Sequence, residues 1–273
     1  MTTSPPVWDP HQYLRHEGHR TRPFLDLLAR INPATAPARI ADLGCGAGNV
    51  TTLLADRWPE ARITGFDNSR EMLAKAEQYA GERLDFAHAE AASWAPPPAT
   101  YDLIVSNALL QWVPGHAELI PGWLAALTPG GTFAFQVPGN FDAPSHTLLA
   151  SLRESPRWRD RLSGVGDRTA AVGTPGDYLA LLSGLGCEAD VWETTYLQLL
   201  HGRDPVLDWV KGTALRPVLT ALAGDEEATA DFTAQYAQLL REAYPASGAG
   251  AGAGAEGGTV FPFRRIFAVG VVR

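Results

Sequence analysis

Through the first half of the chain, short apolar runs alternate with stretches of helical periodicity. Ala38–Leu43 (ARIADL) is apolar with a β-branched residue and ends on glycines, which predicts a buried strand. Asn49–Trp58 (NVTTLLADRW) has helical spacing and is stopped by Pro59. Arg62–Asp67 (RITGFD) predicts a second strand, Arg70–Ala80 a second helix, Leu84–Ala89 a third strand and Tyr101–Asn107 a fourth. His116–Leu127 is helical despite Pro121, and Gly130–Val137 makes a fifth strand after a Pro-Gly-Gly turn. Strand–helix alternation at this pace implies right-handed βαβ units, and so an α/β fold whose parallel sheet carries helices on both faces.

Beyond Gln136 the pattern loosens. Pro144–Ser155 and Pro175–Gly186 predict helices, Glu188–Leu200 a long sixth strand, Asp204–Tyr244 a mostly helical stretch and Thr259–Val272 a closing strand. Between the last two lies ASGAGAGAGAEGG (246–258), a low-complexity run with no apolar anchor that is expected to be a flexible loop. Residues 1–273 thus form a single domain with a core over 38–137, an N-terminal cap segment over 1–30 and a helical insertion over 200–245.

Composition narrows the class. Hydrophobic residues at 45% and charged residues at 19% suit a globular protein with a sizeable core. A net charge of −8 argues against nucleic acid or an anionic membrane as partner. The charge is uneven: residues 1–40 hold five Arg against three acids, and the last thirteen residues hold three Arg and no acid. If the ends meet, they make a cationic pocket on an anionic protein. Two cysteines and seven histidines show neither a disulfide framework nor metal-ligand spacing, so no metal is expected. The start lacks a signal-peptide pattern and no apolar run approaches a membrane span, which makes the cytoplasm the default compartment.

The chemistry concentrates at the first strand–helix turn, Leu43-Gly44-Cys45-Gly46-Ala47-Gly48, preceded by Asp42. Glycines there let the backbone bend tightly and let a ligand approach the main chain. A dinucleotide loop spaces its glycines G-x-G-x-x-G, whereas Gly44, Gly46 and Gly48 are evenly spaced. An acid beside the loop repels phosphate and attracts a cation. The second strand ends in Asp67, nineteen residues past Gly48, where a carboxylate can accept both hydroxyls of a ribose. The ligand so described is a nucleoside with an amino-acid tail. Asp67 also fits a helix N-cap, because Asp67–Met72 (DNSREM) opens a helix. Cys45 is read as a small residue rather than a nucleophile.

Asp42 to Gly48 followed by Asp67 resembles the S-adenosylmethionine site of class I methyltransferases. Over nearly its full length the chain is similar to the trans-aconitate methyltransferases, through WDPHQYLRHEGHRTRPF, SNALLQWVPGH, QVPGNFDAPSH, VWETTYLQLL, DWVKGTALRP and FPFRRIF. The resemblance implies a Rossmann-like seven-stranded sheet with its last strand antiparallel. It also implies methyl transfer from S-adenosylmethionine to a carboxylate of trans-aconitate, giving a monomethyl ester and S-adenosylhomocysteine. The methionine tail would then lie on Gly44–Gly48, the ribose on Asp67 beside Asn68, and adenine near Ala89 and Glu90. Asn107 follows the fourth strand at the edge where ligands bind, with Gln111 and Trp112 as positioning candidates. As the alternative, Asn107 and Gln111 cap the next turn, and Trp112 packs.

A carboxylate is ionised at neutral pH, so its methylation needs no general base, and no catalytic acid or base is assigned. The site must position the acid, and arginine binds spectator carboxylates bidentately. In the implied topology the last strand begins at the active edge, which brings Arg264 and Arg265 there. They alternate faces, so one serves the pocket and the other an acid, with the choice left open. The helical insertion, expected as a lid, carries Arg216. The N-terminal cap brings His19, Arg20 and Arg22, with Arg20 and Arg22 flanking a helix start before Pro23, and Tyr196 is a further candidate. Rival readings are a methyltransferase for another small carboxylic acid, a nicotinamide-dependent dehydrogenase and a non-catalytic nucleoside-binding protein. The sequence leaves monomer and homodimer equally open.

Overall fold

The computed structural model describes residues 17–32, 35–166, 172–246 and 258–273, with side chains from residue 21 onward. Along the chain run α1 (Glu17–Ala29), β1 (Arg39–Leu43), α2 (Thr52–Arg57), β2 (Arg62–Asp67), α3 (Arg70–Ala76), β3 (Leu84–His88) and β4 (Tyr101–Asn107). There follow α4 (His116–Ala125), β5 (Leu127–Pro138), α5 (Pro144–Arg153), α6 (Arg159–Leu162), α7 (Pro175–Gly184) and β6 (Cys187–Leu200). The chain closes with α8 (Pro205–Lys211), α9 (Arg216–Ala221), α10 (Glu226–Ala243) and β7 (Thr259–Val272). Most of the expected Gly/Ala loop, 247–257, lies outside the described residues.

The seven strands form one sheet in the order β3-β2-β1-β4-β5-β7-β6. The neighbours from β3 to β5 are parallel, and β7 runs antiparallel to β5. The apolar runs of β1 and β4 become central strands covered on both faces, as continuous burial requires.

Two boundaries differ from the pattern reading. β5 begins at Leu127 and includes Pro129, Gly130 and Gly131. Its register against β4 shifts between Tyr101↔Leu127 and Leu103↔Thr132, so the expected turn is absorbed as an irregularity within the strand. The N-terminal helix starts at Glu17 and not beside Arg22, which leaves Pro23 inside it. Proline there removes one backbone bond. The stripe Phe24, Leu27, Leu28 and Ile31, fully or almost fully buried at helical spacing, holds the helix in place.

The chain divides into two compact units. One comprises, among the described residues, 18–32, 35–139, 172–194 and 265–273, with a core that includes Ile104, Leu110, Trp123, Phe133, Phe135, Tyr178 and Ile266. The other comprises, among the described residues, Glu17 and residues 140–166, 195–246 and 258–264, with a core that includes Leu149, Leu152, Trp209, Phe232, Tyr236 and Phe261. Within this second unit α5 packs on α10: Ser145 N donates to Tyr244 Oη at 3.0 Å, and Tyr236 Oη donates to the Ser145 carbonyl. Among the described residues no helix is long and apolar enough to cross a membrane.

Candidate active site

β1, β2 and β4 are parallel neighbours, so the glycine loop, Asp67 and Asn107 all leave the sheet at its carboxyl edge. Gly44, Gly46 and Gly48 have left-handed φ values of +83°, +57° and +78°. Two of them serve different ends. A Cβ on Gly48 would lie 2.8 Å from Phe86 Cζ and 2.9 Å from Ala76 Cβ, so packing demands glycine there. A Cβ on Gly46 would meet nothing within 4 Å. The backbone at Gly46 needs glycine for its conformation and faces open space, as a loop built for close ligand approach should.

Asp67 locks this loop. Gly46 N donates to its Oδ2 at 2.9 Å and Ser69 N to its Oδ1 at 2.8 Å. The capping role considered for Asp67 falls to Ser69, whose hydroxyl accepts from Met72 N at the start of α3. Burial raises the Asp67 carboxyl above the usual range, the backbone N–H bonds oppose that rise, and Glu90 adds to it. Asn68 Nδ2 donates to Glu90 Oε2 at 3.0 Å, and Ala89 N to the Asp67 carbonyl at 3.0 Å. Asp67, Asn68, Ala89 and Glu90 are therefore brought together where β2 and β3 end.

Asp42 is fully buried. Its Oδ2 accepts from Thr51 Oγ1 at 2.7 Å, and its Oδ1 has no hydrogen-bond partner among the described residues. Burial pushes this carboxyl up to about 7, the Thr51 bond opposes the rise and Asp67 adds to it. A buried carboxylate oxygen without a donor next to a glycine loop complements a cation. The Cys45 thiol is buried and raised strongly by burial and by Asp42 and Asp67, so it is no nucleophile.

On the other side of β1, Asn107 Oδ1 accepts from Gln136 Nε2, and Gln136 Oε1 accepts from Arg265 Nη1 at 3.0 Å. The register pairs Asn107 with Gln136 and Pro138 with Arg265, so Arg265 sits at the carboxyl edge of β5. Arg265 is 6% exposed, whereas Arg264 pairs with Asp142 at 3.0 Å. Arg265 is thus buried against a neutral amide and Arg264 pairs with an acid. In the turn after β4, Gln111 Nε2 donates to the Ala108 carbonyl at 2.6 Å. Ala108 holds a left-handed φ of +59°, uncommon for a residue with a Cβ and characteristic of functional edges.

Gln136 was not among the expected residues. Its signal is a lone amide inside the otherwise apolar run Phe133–Val137. Trp112 is half-buried in the turn Leu110–Trp112. His19 and Arg20 lie in α1 with side chains outside the described part, and Arg22 is exposed on that helix. Tyr196, buried on β6, Arg216, the first residue of α9, and Arg264 belong to the second unit. Among the described residues no cluster of His, Cys, Asp and Glu suits a metal ion.

A family model described as a methyltransferase domain matches residues 40–131. Trans-aconitate 2-methyltransferase of Streptomyces avermitilis is 62% identical, over 98% of this chain and 98% of its own. The enzyme of that name from Rhodococcus jostii is 47% identical, over 98% and 100%. Among solved structures, the YcgJ protein of Bacillus subtilis superposes with a TM-score of 0.57 at 15% identity, over 94% of this chain and 99% of that one, a likeness of fold.

Proposed function

Since this chain belongs to the trans-aconitate 2-methyltransferase family and has the class I methyltransferase fold, we propose that it methylates a carboxylate of trans-aconitate from S-adenosylmethionine, giving a monomethyl ester. The observation that carries this reading is Gly46, whose backbone faces open space while its amide is tied to Asp67. The residues present fit the cofactor. The bare loop Gly44–Gly48 would hold the methionine tail, with the orphaned Asp42 oxygen offering compensation for an ammonium group. Asp67 would hold the ribose, and Ala89 with the Asn68–Glu90 pair would hold adenine. When bound, S-adenosylmethionine supplies an electrophilic methyl group on a sulfonium centre.

The protein's own part is positioning. The accepting carboxylate is already ionised near neutral pH, so no side chain removes a proton. Holding two reactants in line is worth roughly 7–11 kcal/mol in favourable cases, and that is what the loop and the basic groups would supply. Arg265, fixed by Gln136, which is itself fixed by Asn107, presents a pre-set guanidinium for a spectator carboxylate. Gln136 orients Arg265 through a neutral amide, whereas Arg264 pairs with Asp142.

The test is a substrate panel. The protein is incubated with methyl-labelled cofactor and, separately, trans-aconitate, cis-aconitate, citrate, isocitrate and monocarboxylic acids. The expected result is the highest kcat/KM on trans-aconitate. Preferred transfer to another acid would reassign the substrate, and transfer to none would overturn the reading.

A further inference from the structure

We propose that Arg153 is a carboxylate-binding residue: its side chain is buried in the second unit without a partner among the described residues, so that a carboxylate of a small polycarboxylic acid can take that place. Arg153 ends α5, whose buried positions are Ser145, Leu149, Leu152 and Arg153. It therefore stands where an apolar residue belongs by helical spacing, next to leucines of the unit's core. The residue is 5% exposed. Its Nε is enclosed without an acceptor, and its side chain forms no hydrogen bond or ion pair among the described residues.

Its neighbours make the contrast. The segment 153–161 carries four arginines. The three exposed ones reach acids: Arg157 pairs with Asp231, Arg159 with Asp160 at 4.0 Å and Arg161 with Asp225 at 2.8 Å. The nearest acid in sequence, Glu154, is turned away, accepting from Ser163 Oγ at 3.0 Å and Gly164 N at 3.2 Å. Surface arginines gain little from such pairs, whereas an unpaired buried cation is strongly unfavourable. Of the four, the arginine that most needs an anion is thus the one left without it. An anion that arrives with a ligand removes the contradiction.

Charge selects the class of ligand. One guanidinium balances one carboxylate, while a phosphate dianion would leave a buried negative charge. The same unit contains two more buried side chains with unused polar atoms and no charge: Asn140, 2% exposed with Oδ1 and Nδ2 both unpartnered, and Gln198, 5% exposed with Oε1 unpartnered. Neither alters the charge count. The inference stands on these contacts and not on the proposed activity. The acid has two possible sources, the methyl acceptor itself or a separately bound effector.

The experiment titrates trans-aconitate into the full chain with S-adenosylhomocysteine present, comparing wild type with Arg153→Met and Arg153→Lys. Arg153→Met should bind the acid at least about tenfold more weakly, with Arg153→Lys intermediate because a point charge replaces a fork. S-adenosylhomocysteine affinity should be unchanged, and the ligand-free melting temperature of Arg153→Met should equal or exceed that of wild type. Steady-state kinetics separate the sources. A raised KM for the acid with kcat kept identifies the methyl acceptor, and an unchanged KM with one binding equivalent lost identifies an effector. Either supports the assignment. Wild-type acid affinity in a folded Arg153→Met protein overturns it, as does a fall in ligand-free melting temperature, which makes the residue structural. A wild type that binds trans-aconitate without methylating it would overturn the proposed activity and leave Arg153 standing.

Discussion

Replacing Gly46 by alanine separates the need to fold from the need to bind. The added methyl group meets no protein atom within 4 Å, so its structural penalty is only that of a side chain at φ +57°, about 1–2 kcal/mol. In front of it lies the space assigned to the cofactor's amino-acid tail. Forcing a methyl group into filled space costs about 1–3 kcal/mol, which weakens binding by about 5- to 150-fold. Gly48→Ala is the counterpart. Its methyl group would collide with Phe86 and Ala76 inside the protein, so overpacking of about 1–3 kcal/mol adds to the backbone strain and falls on stability. Denaturant unfolding without ligand and calorimetric titration of S-adenosylhomocysteine measure the two effects independently. Gly46→Ala should be mildly destabilised and strongly impaired in binding, and Gly48→Ala should be the less stable of the two. If Gly46→Ala binds S-adenosylhomocysteine within about twofold of wild type, the open space at Gly46 does not hold the ligand.

Asp42 predicts a pH dependence. Its carboxyl is raised to about 7, so the stability it contributes is fully present below the unfolded value near 3.8 and is lost as pH rises through about 7. The cofactor-free protein should therefore gain stability between about pH 8 and pH 5.5. Asp42→Asn should be more stable than wild type near pH 8 by roughly 2–4 kcal/mol; equal or lower stability in a pH-resolved denaturant series would refute this. Asp67 is raised as well, so the substitution should reduce the slope without abolishing it. Asp67→Ala removes the acceptor for both Gly46 N and Ser69 N, and should lower S-adenosylhomocysteine affinity by about 100-fold with a smaller loss of melting temperature. Arg265→Gln should raise the KM for trans-aconitate by about tenfold or more with a smaller effect on kcat, while Arg264→Gln should change it by less than about threefold. The reverse ranking in steady-state assays would contradict the inward placement of Arg265.

The α/β alternation was legible because each buried parallel strand is a short apolar run and each covering helix repeats its own period. The run Arg62–Asp67 is β2 to the residue. Asp67 and the evenly spaced glycines were legible for a related reason: a positive φ, and a carboxylate that accepts loop amides at a strand end, each admit few residue types. Alternation along β7 showed that Arg264 and Arg265 face opposite ways, but which faces inward depends on Gln136 and Asp142, contributed by other segments. Thr51 as the partner of Asp42 was illegible for the same reason, since a single hydroxyl in a helix start carries no signal. The start of β5 was misplaced because a Pro-Gly-Gly sequence usually turns, and here the ladder to β4 carries it as an irregularity. Arg153 had a visible sign, a charged residue on the apolar face of Pro144–Arg153, but only the absence of an acceptor gives it meaning.

The central claim is that this chain joins a sulfonium methyl group to a carboxylate oxygen of trans-aconitate. Mass spectrometry of the product formed from trans-aconitate and methyl-deuterated S-adenosylmethionine tests it most directly. The account predicts one labelled methyl group per acid, released by mild base as labelled methanol with trans-aconitate regenerated. A label retained after base treatment, or no transfer at saturating cofactor, would contradict it.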